Sequence, residues 1–302
     1  MIVTGSPRDA GEGLLVDRLT SALASRQPFA LSKVGFSEQA LCVIPDRLAS
    51  ERDPARRRAL EAALIAHGHR QGGLFPARAK EILTFSAVMR DSLARHDGLA
   101  IAPGRWAADT LRSIPARVAV APLDSLDVRG VAAGDPLQVL LDGLAGADVL
   151  LVTTPAKLLH ARANIHTFEA VWQRLGRRWF DPRSMAYLAL PNGYDRRACD
   201  SWQDSVALLD WAVRQIEGRA FDVALIGAGL YGAPLAAKIK AGGRIGVSLG
   251  SQLQLLFGVQ GRRWLGWEDF QRDIVNDHWI CLPHSTLPSP PDMLPDGGAY
   301  WS

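Results

Sequence analysis

Between Phe221 and Trp264 the chain reads FDVALIGAGLYGAPLAAKIKAGGRIGVSLGSQLQLLFGVQGRRW. Two short, uninterrupted apolar runs, Val223 to Ile226 and Ile245 to Leu249, flank a helical segment from about Pro234 to Ala241. A tight turn carrying Gly227, Gly229 and Gly232 joins the first run to the helix. Apolar runs of this length suit strands covered on both faces, and the connection is long enough for a helical crossover, so the stretch predicts a β-α-β unit of a parallel sheet. A second small-residue turn, Gly250-Ser251, is followed by Gln252, Gln254, Arg262, Arg263 and Trp264, a cluster that a plain crossover does not require.

The rest of the chain alternates in the same way. Helical spacing is read over 14–25, 54–70, 76–95, 106–114, 135–144, 167–175 and from a cap at Asp200 or Ser201 to Ile216. Strands are read at 29–34, 40–44, 97–101, 118–121, 147–152 and 185–190, with a turn at Pro191-Asn192-Gly193. Residues 1–13 read as a loose arm or first turn. Alternation along the whole length predicts an α/β fold, a Rossmann-like three-layer sandwich with a mainly parallel sheet, in one domain over residues 1–302. The Pro-rich tail over 283–302 is expected to run extended over the surface.

Composition narrows the class. Hydrophobic residues make up 48% and charged residues 22%, as in an ordinary globular protein. No apolar run is long enough for a bilayer, and the start lacks the charged and apolar regions of a signal peptide, so a cytoplasmic protein is expected. Cys42, Cys199 and Cys281 are too few and too scattered for a disulfide framework or a Cys-based zinc site. The formal charge of +3 gives no case for nucleic acid, and the runs Arg56-Arg57-Arg58 and Arg177-Arg178 lack interleaved aromatics. Only five of the 34 basic residues are Lys, and Arg is the residue suited to bidentate phosphate contacts.

Gly227-x-Gly229-x-x-Gly232, after a strand and before a helix, meets the local form of a dinucleotide fingerprint. Such sites expect an acidic residue at the end of the next strand to hold the ribose, and here that strand ends Val247-Ser248-Leu249-Gly250. A nicotinamide-dependent oxidoreductase is disfavoured on that ground, and close helix-on-sheet packing is an alternative reason for the glycines. The second turn offers Gly250, Gln252, Gln254, Arg262, Arg263 and Trp264: close backbone approach, amide hydrogen bonds, bidentate cations and a flat apolar surface. That inventory suits a phosphorylated ligand bearing a base or sugar. Elsewhere, Glu38 beside Gly35 is a candidate site residue or a helix cap, and Asp97 stands at a strand entrance. Asp124 and Asp127 read as cation ligands or caps, Thr153 and Thr154 as possible phosphate neighbours, and His67 with His69 as a solvated helix end.

The segment LIGAGLYGAPLAAKIKAGGRIGVSLGSQLQLLFGVQGRRW, the closing DGGAYW, the earlier KVGFSE turn and the passage APLDSLDVRGVAAGDPLQVLLDGLAGADVLLVTTP resemble bacterial proteins of the GT-D glycosyltransferase-like group. The resemblance implies a nucleotide-sugar-dependent glycosyltransferase, with an N-terminal R-x-G-x-x-E turn and an Asp-x-Glu pair that holds a divalent cation on the donor diphosphate. On this chain Lys33 stands at the Arg, Gly35 at the Gly and Glu38 at the Glu, while the Asp position is Phe36. Glu38 is therefore the carboxylate left for Mg²⁺ or Mn²⁺, or a base toward an acceptor hydroxyl, with Asp97 a second candidate base. Lys33 and Arg262 or Arg263 would neutralise the diphosphate, with Gly227, Gly229, Tyr231, Gly232, Gly250, Gln252, Gln254 and Trp264 completing the donor site. A nucleotide-sugar binding protein without turnover is the alternative reading. The acceptor is left open.

Overall fold

The computed structural model describes residues 7–130, 135–191 and 200–282. Seven strands form one sheet in the order β3-β2-β1-β7-β6-β4-β5: β1 (Phe29–Val34), β2 (Gly98–Ile101), β3 (Ala119–Pro122), β4 (Asp148–Thr153), β5 (Ser184–Ala189), β6 (Val223–Gly227) and β7 (Ile245–Ser248). Every neighbouring pair is parallel. Side chains alternate across a strand, so each strand divides its apolar residues between two cores. Leu31, Leu225 and Val247 face α1 (Pro7–Ser25) and the helices before β4 and after it; Ala30, Val34, Ala224 and Ile226 face the opposite helical layer. Helices thus cover both faces, which is the three-layer sandwich expected of near-continuous apolar strands.

The β-α-β unit around β6 and β7 forms as its sequence dictates. Its helix, Gly232–Ala241, lies against β7 so closely that a Cβ added at Gly246 would stand 2.8 Å from Ala236 Cα and 2.9 Å from Ala236 O. Only glycine allows that approach.

Two expectations are corrected. The run at 40–44 is not a strand but the middle of α2 (Phe36–Ser50), buried from Gln39 to Pro45. A short apolar run buried on all sides has no period to separate strand from helix, and packing against α4 (Ala79–Ala94) decides it. At the start, α1 already runs from Pro7, so 7–13 is helix rather than a loose arm.

Smaller differences concern ends. The helix α3 (Pro54–Ile65) passes into a π-helical turn over Ala66–Gln71. The helix Ser205–Glu217 is capped by Asp204, which accepts from Val206 N and Ala207 N, rather than by Asp200 or Ser201. The 192–193 half of the proposed turn and the tail over 283–302 lie outside the described residues. Among those described, no helix is long and apolar enough to cross a membrane.

From β1 the chain moves outward to β2 and β3 through α2, on one face of the sheet; from β7 it leaves through the short helix Gln252–Leu256, on the other. The carboxyl ends of β1 and β7 are therefore neighbours whose continuations diverge. That is where open parallel sheets leave a crevice.

Candidate functional site

A cleft of about 1250 Å³ opens at that point. Lys33, Gly35 and Glu38 border it from β1 and the start of α2, Gly229 from the turn after β6, and Gly250, Gln252 and Arg263 from the segment after β7. Residues from distant parts of the chain thus meet in one cavity.

Lys33 is the penultimate residue of β1, half-buried, and points to the side of the loop that follows β3. Among the described residues its ammonium has one hydrogen bond, to Leu126 O at 3.4 Å, and no ion pair. Burial pulls its pKa from 10.5 down to about 8; Asp127 and Asp124 act against that fall, while Arg129 and Arg263 add to it. A cation held out of water without a carboxylate at contact distance is costly, and an anion in the cleft would relieve it.

Asp127 does not supply that partner because Arg129 consumes it. The Arg129 backbone N–H and Nε donate to Asp127 Oδ1 at 2.9 Å each, and Nη2 donates to Oδ2 at 2.8 Å. Burial works against the Asp127 charge, yet these bonds hold its pKa below the ordinary carboxylate value. The Arg129 guanidinium also lies 4.9 Å from the Trp267 ring centre. Gln252 fixes the same loop, its Oε1 accepting from Val128 N at 3.1 Å. The loop after β3 and the turn after β7 are thereby joined across the cleft.

Glu38 is the third residue of α2, whose N-cap is Gly35 with no side-chain cap of its own. Its half-buried carboxylate folds back and accepts from the backbone N–H of Gly35 and of Glu38 itself, the acidic half of a capping box. Burial raises its pKa above the ordinary value and those two bonds partly offset the rise. A Cβ at Gly35 would stand 3.0 Å from Glu38 Oε2, so glycine leaves that carboxylate its place. Gln39 fastens the same helix start to the strand ends, donating to Ala102 O at 2.8 Å.

The glycines separate into two groups. Gly229 (φ +50°) and Gly250 (φ +58°) adopt the left-handed conformation, and a Cβ at Gly250 would meet nothing within 4 Å. These two shape turns that face the cleft. Gly227 and Gly232 face protein instead: a Cβ at Gly227 would be 3.0 Å from Gly250 O, and one at Gly232 would be 2.2 Å from Ser248 Oγ. Two of the fingerprint's three glycines therefore serve helix-on-sheet and turn-on-turn packing.

Seven further candidates have surroundings within the protein or away from the cleft. Asp97 sits at the amino end of the sheet, its carboxylate accepting from Ala30 N at 2.9 Å and paired with Lys240 at 2.6 Å. Tyr231 is core, its hydroxyl donating to Ser205 Oγ at 2.8 Å and its ring edge-on to Phe85. Trp264 is 1% exposed, and Gln254 is buried too. Arg262 is exposed but does not border the cleft, whereas Arg263 does. The hydroxyls of Thr153 and Thr154 donate to Gly227 O and Leu190 O, binding strand ends to one another.

Several cleft residues escaped the sequence reading: Trp267, one helical turn beyond Trp264; Arg129; Arg105, which stacks on Trp106; and His67, half-buried rather than a solvated helix end. Burial keeps the His67 pKa below the ordinary imidazole value, against a hydrogen bond with Gln71. Its period-breaking place in the π-helical turn is what turns it inward.

A divalent cation fits this donor set poorly. Mg²⁺ and Mn²⁺ want several converging oxygens. Among the described residues no group of three His, Cys, Asp or Glu side chains converges, Glu38 is turned to its own helix end, and Phe36, two residues earlier and 56% exposed at the cleft, offers no oxygen.

No protein-family model matches the chain, and no curated protein matches it. A solved structure described as a selenomethionine-substituted domain of unknown function 1792 aligns over 95% of this chain and 93% of its own, at 11% identity and a TM-score of 0.46.

Proposed function

We propose that the protein transfers a sugar from a nucleotide-sugar donor in the cleft to an acceptor hydroxyl. The observation that carries this reading is Lys33, a half-buried cation at the carboxyl end of β1 without a carboxylate partner among the described residues. The sequence resemblance to GT-D glycosyltransferase-like proteins supports it independently. In the reaction the acceptor oxygen forms a bond to the anomeric carbon while the bond from that carbon to the distal phosphate oxygen breaks. The electron pair leaves with the nucleoside diphosphate, whose developing charge faces Lys33 and Arg263. Glu38 takes the acceptor proton. Its raised pKa favours that role, and a carboxylate accepting two backbone bonds retains lone pairs for a third.

The test is incubation with a panel of nucleotide sugars, following release of nucleoside diphosphate with water and with sugar acceptors. Glu38→Gln keeps the capping oxygen and removes the base, so turnover should fall about 100-fold with donor affinity unchanged. One observation favours a second reading, a nucleotide-sugar binding protein without turnover: the helix cap accounts for Glu38 with no chemistry at all. Thermal stabilisation by a nucleotide sugar with no diphosphate released would establish that reading and overturn transfer.

A further inference from the structure

Resting on the reading of the cleft as a nucleotide-sugar site, we infer that the donor diphosphate is held by side-chain cations, Lys33 with Arg263, in the place of a protein-bound divalent ion. Three observations converge. Of the three carboxylates that border the cleft, Asp127 is engaged by Arg129 on both oxygens and Glu38 is folded onto the first turn of α2, which leaves Asp124 as a single exposed acid and no converging set of three among the described residues. Phe36, two residues before Glu38 and 56% exposed at the cleft, puts a ring there and offers no oxygen. Lys33 and Arg263 border the same cleft, and among the described residues Lys33 has no ion pair there.

The loop after β3 shapes this arrangement more than it neutralises it. Asp124 and Asp127 face Lys33 from that loop, Arg129 faces it from the same loop, and Arg263 faces it from beyond β7. Because Asp127 is engaged by Arg129 on both oxygens, the pair approaches Lys33 as a near-neutral unit. The ammonium remains available to a phosphate oxygen, to which it donates as a point charge.

Titration supplies a signature that metal binding would not. A bound diphosphate favours the charged lysine, so affinity should be flat between about pH 7 and 8, where the terminal phosphate is fully ionised, and fall above it as free Lys33 loses its proton. Replacement by arginine, which stays charged, should abolish that fall.

The experiment measures affinities of UDP, GDP, ADP, CDP and dTDP by calorimetry, in EDTA and in excess Mn²⁺. At least one should bind with the same affinity within about threefold in both buffers. Lys33→Met should weaken it about 10- to 100-fold. Arg263→Ala, at an exposed side chain, should weaken it about 10-fold and tests the proposal even if Lys33→Met does not fold. Lys33→Arg should bind at pH 9 as it does at pH 7. Binding that requires Mn²⁺, or that Lys33→Met and Arg263→Ala both leave intact, overturns this inference while the proposed function stands. No binding of any nucleoside diphosphate or nucleotide sugar in either buffer overturns both.

Discussion

The two ends of the parallel sheet treat charge in opposite ways. At the amino end, acids at strand entrances are answered from within the protein. Asp97 accepts from Ala30 N and pairs with Lys240, Asp222 accepts from Asp148 N, and Asp148 is paired with Arg183 and accepts from Ser184 Oγ. Arg183 lowers the Asp148 pKa to about 2. Asp97 and Asp222 thereby satisfy backbone amides at the starts of β1 and β4. At the carboxyl end, by contrast, Lys33 stands against an open cleft with its nearest acid already taken. Charge that is closed within the protein holds the fold together; charge left open marks where something else is to bind.

This contrast can be broken by substitution. The largest effect on stability is expected at Gly246, where a methyl group would press on the Ala236 backbone: Gly246→Ala should cost about 3 kcal/mol, read from urea denaturation. Next, Asp97→Ala should cost about 1–2 kcal/mol, since it leaves the Ala30 amide and Lys240 without their acceptor. Folded Asp97→Ala protein should keep its nucleoside diphosphate affinity and turnover; loss of either would mean that the amino end also carries function. The smallest effect concerns Lys33. Between pH 8 and 10.5 the unfolded chain holds this proton and the folded chain does not, so stability gains from that site as pH rises. The gain should be about 1 kcal/mol or less for a half-exposed group, and it should vanish in Lys33→Met when melting curves at pH 7 and pH 10 are compared. At pH 7 the methionine variant should melt no lower than the native protein, trading ligand affinity for stability.

Much of the sheet is legible in the sequence because β4, β6 and β7 are short apolar runs separated by helices with clear periods. The run in α2 is not legible in the same way: residues buried around a whole helix carry no pattern to distinguish it from a strand. At the site, the turn of Lys33, Gly35 and Glu38 stands out as local sequence. The role of Asp127 and Arg129 does not, because it exists only once the loop after β3 folds over β1. Trp264 and Trp267 show the same limit at closer range: three residues apart, one is core and the other borders the cleft, and packing of the short helices after β8 (Val259–Gln260) makes the choice. Gly227 and Gly232 fit a ligand-binding fingerprint by spacing, yet the space their missing side chains free is filled by Gly250 O and Ser248 Oγ.

Lys33 is built into a strand paired on both sides, to β2 and to β7. Pairing on both sides holds its backbone in place whether or not the cleft is occupied, so its charge borders the cleft before any ligand arrives. The cleft then draws small anions indiscriminately, and selectivity must come from the groups around the charge rather than from the charge itself. In practical terms, phosphate buffer and sulfate precipitants should compete with the natural ligand, whose affinity should fall as ionic strength rises.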